Sequence, residues 1–139
     1  MAIEFSDDLI TGNHMIDTQH RELIDRVNNL LQSLDHGEDQ KEVTRLLLYL
    51  ASYTNFHFKA EEALQRELDY PGYEEHVIKH KELINTVAEL ETILENEGIT
   101  PSFKERFKKE VLDWLLYHIK GFDRSVAEFK FMRDNPNLL

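Results

Sequence analysis

The spacing of apolar residues is the feature that most constrains the fold of this chain of 139 residues. In four stretches, apolar residues recur every three or four positions, which places them on one face of an α-helix. The first stretch carries Leu23, Val27, Leu30 and Leu34, and Gly37 follows it as a natural C-terminal cap. No stretch carries the alternation of apolar and polar residues that indicates a half-buried strand. The chain is therefore predicted to be all-α.

Capping and helix-breaking residues set the bounds of the predicted helices. Pro71 ends the second stretch, Gly98 ends the third, and Thr100 offers an N-cap followed by proline at the first helical position. The predicted helices cover about 17–36, 40–67, 73–96 and 101–133. Short loops between long helices imply antiparallel neighbours. We therefore predict a single domain over 1–139, an up-down-up-down four-helix bundle preceded by an N-terminal loop.

Charge and cysteine content exclude several functions. The net charge of -11 would repel both a phosphate backbone and an anionic membrane surface, so neither nucleic acid nor a membrane is an expected partner. The chain has no cysteine, so a transition metal would have to be held by nitrogen and oxygen. The start "MAIEFSDDLITGNH" lacks a basic region followed by an apolar run, and no apolar run is long enough to span a membrane. We expect a cytoplasmic protein.

Histidines lie on the apolar faces of the predicted helices. The seven histidines are His14, His20, His36, His57, His76, His80 and His118. The first and third of these fall in the N-terminal loop and the first connection, and the other five fall on apolar helix faces. One such histidine is more often a hydrogen-bonded core residue than a ligand. Five would each need a separate acceptor, whereas a bound metal would satisfy them together, so the pattern favours a metal site.

Carboxylates on the same helices complete the candidate metal site. Glu61 follows His57 by four residues on the same face, whereas Glu62 is rotated about 100° further and is expected to be a surface charge. Asp123 follows His118 by five residues, which in a regular α-helix means about 140° of rotation and about 7.5 Å along the axis. That geometry is poor for one shared ion and more suitable for two ions side by side. Five histidines and two acids therefore predict a dinuclear site.

Four segments of the sequence contain the seven candidate ligands: "HFKAEE" from His57, "YPGYEEHVIKH" from Tyr70, "WLLYHIKGFD" from Trp114 and "GNHMIDTQH" from Gly12. The first three segments resemble the hemerythrin family, and the fourth resembles its bacterial branch. The resemblance covers nearly the whole chain and implies a non-haem centre of two iron ions with an oxo or hydroxo bridge. It implies that His76, His80 and His118 bind one iron, that His20 and His57 bind the other, and that Glu61 and Asp123 bridge them.

The same resemblance implies reversible dioxygen binding for storage, delivery or scavenging, without enzymatic turnover. The iron with one nitrogen fewer would keep a position open for oxygen. By position in the family, an apolar pocket around that site would be formed by Leu23, Phe58, Trp114, Leu115 and Ile119. Each of these residues taken alone is also explained by ordinary core packing.

Three positions depart from the family pattern. Phe5 stands where tryptophan is expected, Gln65 replaces a methionine, and Leu83 replaces a phenylalanine. The last two lie one turn from expected ligands, where a polar or smaller residue could admit water. These replacements predict faster oxidation of the centre in air, with the ligands themselves intact.

Other functions fit part of the pattern. A sensor of oxygen, nitric oxide or redox state would have its iron state recognised by a partner, and a di-iron reductase would turn over peroxide or nitric oxide. A ferritin-like oxidase is disfavoured because the repeated Glu-x-x-His of that class is missing. A zinc hydrolase is the weakest alternative, since "HVIKH" has Val77 where the zinc peptidase motif has its glutamate base.

Overall fold

Four long helices form most of the part of the chain that the computed structural model describes, residues 3–138. Helix α1 spans His14–Asp35, α2 spans Gln40–Glu67, and α3 spans Tyr73–Glu97. Helix α4 runs through residues 101–134, and short 3-10 turns at Asp7–Leu9 and Pro136–Leu138 flank the bundle. No strand occurs within residues 3–138, so the all-α prediction is confirmed.

Capping side chains explain where the helices begin. Helix α2 has the predicted bounds, because the Asp39 side chain accepts a hydrogen bond from the backbone N–H of Glu42 at 2.9 Å. Helix α1 begins earlier than predicted, because Asn13 accepts from the backbone N–H of Ile16 at 3.0 Å. His14, which was expected in the N-terminal loop, is therefore the first residue of α1.

Helix α4 is not a regular α-helix, which differs from the prediction. Its segments Pro101–Phe107, Trp114–His118 and Arg124–Asp134 are α-helical, whereas Lys108–Asp113 and Ile119–Asp123 are π-helical. A π-helical turn is closed by a hydrogen bond between residues five apart rather than four. Residues five apart consequently lie close to one face of the helix in these two segments.

The inner faces of the helices meet in one large apolar cluster. Helix α1 packs against α2, α2 against α3, and α3 against the first half of α4. Leu23, Leu47, Leu90 and Phe107 are among the completely buried members of this cluster. The short connections at 36–39, 68–72 and 98–100 make consecutive helices antiparallel. No helix within the described residues is long and apolar enough to span a membrane.

Candidate metal centre

The seven predicted ligands lie together inside the bundle, on all four helices. One group of potential metal-binding side chains consists of Glu61, His76, His80, His118 and Asp123. A second group consists of His20, His57, Glu61 and Asp123. Within each group the candidate ligand atoms all lie within 4.8 Å of one another. Every one of these side chains is at most 2% exposed, so the cluster is shielded from solvent.

Glu61 and Asp123 belong to both groups of candidate ligands. Each carboxylate has one oxygen facing the histidines of the first group and the other oxygen facing the histidines of the second. Glu61 Oε1 lies 2.8 Å from His76 Nε2 and 3.3 Å from His80 Nε2, whereas its Oε2 lies 3.6 Å from His57 Nε2. A carboxylate in this position can bridge two cations, with one oxygen for each.

Asp123 repeats this arrangement from helix α4. Its Oδ1 lies 3.0 Å from His76 Nε2 and 3.1 Å from His118 Nε2. Its Oδ2 lies 2.7 Å from His20 Nε2 and 3.9 Å from His57 Nε2. Glu61 Oε1 and Asp123 Oδ1 therefore face three imidazoles, those of His76, His80 and His118. Glu61 Oε2 and Asp123 Oδ2 face two, those of His20 and His57.

The contact between His118 and Asp123 corrects the geometry expected from the sequence. A regular α-helix would have separated these side chains, but the π-helical segment Ile119–Asp123 returns Asp123 to the face of the helix that carries His118. The five-residue spacing is therefore compatible with one shared ion and gives no argument for two. The bridging positions of the two carboxylates support a dinuclear site instead.

Burial keeps three of the imidazoles in the neutral form that binds metals. It lowers the pKa of His57 and of His118, and lowers the pKa of His80 to about 2. A neutral imidazole has a ring nitrogen free to bind a cation, so these side chains need no deprotonation before binding.

The two acids respond to the same environment in opposite directions. Burial, with the negative charge of Asp123 second, raises the pKa of Glu61 well above its ordinary value. Burial also acts to raise the pKa of Asp123, but His118, His20 and His57 outweigh it and hold that pKa well below its ordinary value. Two carboxylates this close repel each other when both are ionised, and cations between them would remove that cost.

Buried polar atoms without hydrogen-bond partners show that the side chains fit metal ions. His57 Nε2, His80 Nε2 and both carboxylate oxygens of Glu61 are buried and lack a hydrogen bond of suitable geometry. An unpaired polar atom in a core is costly, and these four belong to the two candidate groups. The donor set is nitrogen and oxygen, which suits iron, manganese, zinc or cobalt.

Three side chains outside the ligand set bond to the far nitrogens of the imidazoles. Gln19 Oε1 accepts from His57 Nδ1 at 2.7 Å, Glu62 Oε2 accepts from His80 Nδ1 at 2.8 Å, and Gln65 Nε2 lies 3.0 Å from His76 Nδ1. Such contacts orient a ligating histidine so that its other nitrogen faces the metal.

The contact of Glu62 shows that its prediction as a surface charge was wrong. Its side chain is 20% exposed and reaches His80 on the neighbouring helix. The rotation of Glu62 relative to Glu61 along α2 was estimated correctly. The contact with His80 could not be deduced from α2 alone, because His80 lies on α3. The contacts of Gln19 and Glu62 were missed, although each residue adjoins a predicted ligand in the sequence.

The predicted pocket residues lie in or against the main apolar cluster. Leu23, Phe58, Leu115 and Ile119 are buried, and Trp114 is partly buried. The Phe58 ring stacks on His80 with centroids 3.7 Å apart, and Trp114 stacks on His118 at 4.4 Å. Two of the five thus contact expected ligands directly, and the role of the set in binding oxygen stays a prediction.

The three departures from the family pattern have different surroundings. Leu83 is 3% exposed within the main cluster, and the partly buried Phe5 packs against that cluster with Arg21 over its ring at 4.4 Å. Gln65 is completely buried beside His76. Of the three, Gln65 alone brings a polar side chain into contact with an expected ligand.

A helical bundle whose buried centre combines histidines and carboxylates defines the class of this protein, a metal-binding all-α bundle. The family described as the hemerythrin HHE cation binding domain matches residues 11–128. The chain belongs to the hemerythrin family, which confirms the resemblance stated from the sequence.

Curated relatives come from several bacteria. The bacteriohemerythrin of Stenotrophomonas maltophilia is 30% identical over 125 residues, which cover 89% of this chain and 78% of the relative. The bacteriohemerythrin of Pseudomonas aeruginosa is 28% identical with the same coverage. That of Campylobacter jejuni is 26% identical over 118 residues, or 85% of this chain and 87% of the relative. The similarity to the bacterial branch thus extends over most of each chain.

Proposed function

We propose that this protein binds dioxygen reversibly at a centre of two iron ions. The observation that carries the proposal is the division of the oxygens of Glu61 and Asp123 between two groups of imidazoles. When bound, two ferrous ions supply the two electrons that reversible binding of dioxygen requires. The bacterial relatives are named bacteriohemerythrins, which supports iron and oxygen over zinc and hydrolysis.

The two sides of the centre differ in their number of imidazole ligands. His76, His80 and His118 would hold one iron, and His20 and His57 would hold the other, with the two carboxylates between them. The side with two imidazoles has one nitrogen donor fewer. An external ligand of the size of dioxygen would therefore bind on that side.

Apolar and aromatic side chains keep water away from the centre. Phe58 covers one face of His80, and Trp114 covers one face of His118. Ile119, which follows His118 in α4, is completely buried. Water and protons promote irreversible oxidation, so a dry surrounding favours release of the intact gas. We propose that the protein serves storage, delivery or scavenging of oxygen in the cytoplasm and is not an enzyme.

One observation favours a second function, a sensor or redox protein. A surface pocket of about 440 Å³ is lined by Gln65 together with Arg66, Tyr70 and Tyr73, and Gln65 contacts His76. A polar side chain between this pocket and a ligand would favour oxidation of the centre. An oxidised centre that persists could be recognised by a partner. If an electron donor reduced it again, the centre could instead pass those electrons to peroxide or nitric oxide in a slow turnover.

The visible spectrum of iron-quantified protein tests the proposal. The protein is reduced without air, exposed to oxygen and then purged with inert gas, and His118→Ala serves as a variant expected to lose iron. Two irons per chain and a charge-transfer band that forms with oxygen and fades on purging would support the carrier. A band that purging cannot reverse would favour the sensor, and absence of iron would overturn both.

A further inference from the structure

Gln65 occupies an unusual position beside the centre. It lies on α2, one turn after Glu61, and its side chain is completely buried. Its Nε2 lies 3.0 Å from His76 Nδ1, while its Oε1 is buried without a hydrogen-bond partner. Its backbone oxygen accepts from the N–H of Tyr70 at 2.9 Å, which ties α2 to the turn before α3.

With its nitrogen toward His76, the amide suits an imidazole whose proton lies on the other ring nitrogen. An amide nitrogen can only donate, so His76 Nδ1 must accept and the ring proton must lie on Nε2. From Nε2 the proton faces Asp123 Oδ1 at 3.0 Å, which can accept it. Within the contact between Gln65 and His76, the buried Oε1 of Gln65 is left without a partner.

A metal ion on His76 reverses these requirements. Binding through Nε2 needs the lone pair of that nitrogen, so the ring proton must move to Nδ1. Nδ1–H and the amide nitrogen of Gln65 would then be two donors facing each other. A rotation of the amide by about 180° exchanges its nitrogen and oxygen, and the oxygen can accept from Nδ1–H.

We propose that Gln65 is a positioning residue for His76, whose side-chain oxygen accepts a hydrogen bond from Nδ1–H whenever the centre is loaded with metal. The inference rests on the proposed metal centre and adds a specific role for a residue outside the ligand set. The amide exchange gives the unpartnered oxygen a donor and directs His76 Nε2 toward the metal.

Two neighbouring contacts show the same pattern with the acceptor already in place. Gln19 accepts from His57 Nδ1 through an amide oxygen, and Glu62 accepts from His80 Nδ1 through a carboxylate. Gln65 would give a third imidazole an equivalent acceptor. Methionine, which the family resemblance leads one to expect here, offers only a weak acceptor sulfur. The replacement therefore adds a hydrogen bond to the centre as well as polarity.

The test compares three variants in zinc titrations, with zinc as a probe that needs neither oxygen nor reduction. Gln65→Met keeps the length of the side chain and removes the acceptor, and we expect it to weaken zinc binding about 10–100-fold. Gln65→Glu restores an acceptor and should recover most of the affinity. Gln40→Met is the matched control, because the Gln40 amide also joins α2 to α3, through the backbone oxygen of Leu94 at 2.8 Å.

Nuclear magnetic resonance of the zinc-loaded protein supplies a second measurement that a purely structural role would not alter. The Nδ1 proton of His76 should resonate far downfield and exchange slowly with water in the wild type, in Gln65→Glu and in Gln40→Met. In Gln65→Met it should move upfield or exchange too fast to be observed. The reduction potential of the iron-loaded protein should also shift to lower values in Gln65→Glu, because an anionic acceptor makes the imidazole a stronger donor.

The outcomes separate this inference from the proposed function. Wild-type zinc affinity and an unchanged Nδ1 proton in Gln65→Met would overturn the positioning role and leave the oxygen proposal intact. If Gln65→Met does not fold, the wild type is sufficient for the test. Rapid exchange of the His76 Nδ1 proton in the zinc-loaded wild type would overturn the positioning role of Gln65. Failure of reversible oxygen binding, with the zinc results as expected, would instead reject the carrier and keep the role of Gln65.

Discussion

Phe58 and His80 lie face to face, with ring centroids 3.7 Å apart and planes 3° from parallel. The two side chains come from α2 and α3, and Glu62 holds the far nitrogen of the same imidazole. His80 is thus restrained both across its face and along its edge. Since Phe58 is 1% exposed, it also separates the imidazole from solvent.

Removal of this ring should affect both stability and the lifetime of the reduced centre. We expect Phe58→Ala to lower the free energy of unfolding by about 3–5 kcal/mol, because a large buried side chain is lost. Water admitted beside His80 should also accelerate irreversible oxidation in air. Phe103→Ala removes a completely buried ring in the first turn of α4 and is the control. Equal oxidation rates in the two variants, measured after reduction without air, would contradict the shielding role of Phe58.

Glu62 should determine how tightly the centre holds metal, although it is not an expected ligand. Glu62→Met removes the acceptor for His80 Nδ1 and should weaken metal binding about 10–100-fold, whereas Glu62→Gln should have a smaller effect because it retains an acceptor oxygen. The measurement is a competition titration against a metal chelator. Glu67→Met, on the same helix, is the control with a comparable change of charge. Indistinguishable affinities for Glu62→Met and Glu67→Met would show that Glu62 is only a surface charge.

Deletion of Gly121 tests the contribution of the π-helical segment. The deletion reduces the spacing from His118 to Asp123 from five positions to four, and a regular α-helix then keeps both side chains on one face. We expect the shortened chain to remain helical and to bind metal within about an order of magnitude of the wild type.

The matched variant for this deletion inserts one alanine after Gly121. It rotates the aspartate by about another 100° and should abolish metal binding. The substitution Gly121→Ala should change little, since a Cβ at this position meets nothing within 4 Å. Metal content by mass spectrometry and helicity by circular dichroism distinguish these cases. Loss of metal in the deletion variant with full helicity would show that the wide turn itself is required.

The metal-free protein should become less stable as the pH falls below about 6.5. Burial lowers the pKa of His57, His80 and His118, so the unfolded chain takes up protons in this range and the folded chain resists them. Each histidine contributes up to about 1.4 kcal/mol per pH unit. Burial raises the pKa of Glu61, which acts in the opposite direction above about pH 4.5 and offsets one histidine.

Urea unfolding of chelator-treated protein at about pH 7.5 and 5.5 measures this dependence. The variant His57→Gln removes one titrating group and should have a smaller loss of stability between the two pH values. A free energy of unfolding that is the same at both, or that increases on acidification, would show that the imidazoles are not kept neutral by burial.

Much of the candidate site could be predicted from the sequence because its signals are local. Apolar spacing placed His20, His57, His76, His80 and His118 on inward faces, and every one of them is buried in the structure. Asp39 as N-cap and Pro71 as breaker give α2 its bounds. The prediction failed for Glu62 and for the pair His118 and Asp123, where a regular isolated helix was assumed.

The sequence by itself determined that the chain is helical, which faces are apolar and which side chains can bind a metal, because these properties depend on residues a few positions apart. Only the tertiary structure decided which oxygen of Glu61 faces which imidazoles, that Glu62 reaches His80, and that Gln65 meets His76. Each of these contacts joins atoms of different helices. Their distances depend on how the helices pack and on where α4 widens into π-helical turns, and neither follows from the local spacing of residues.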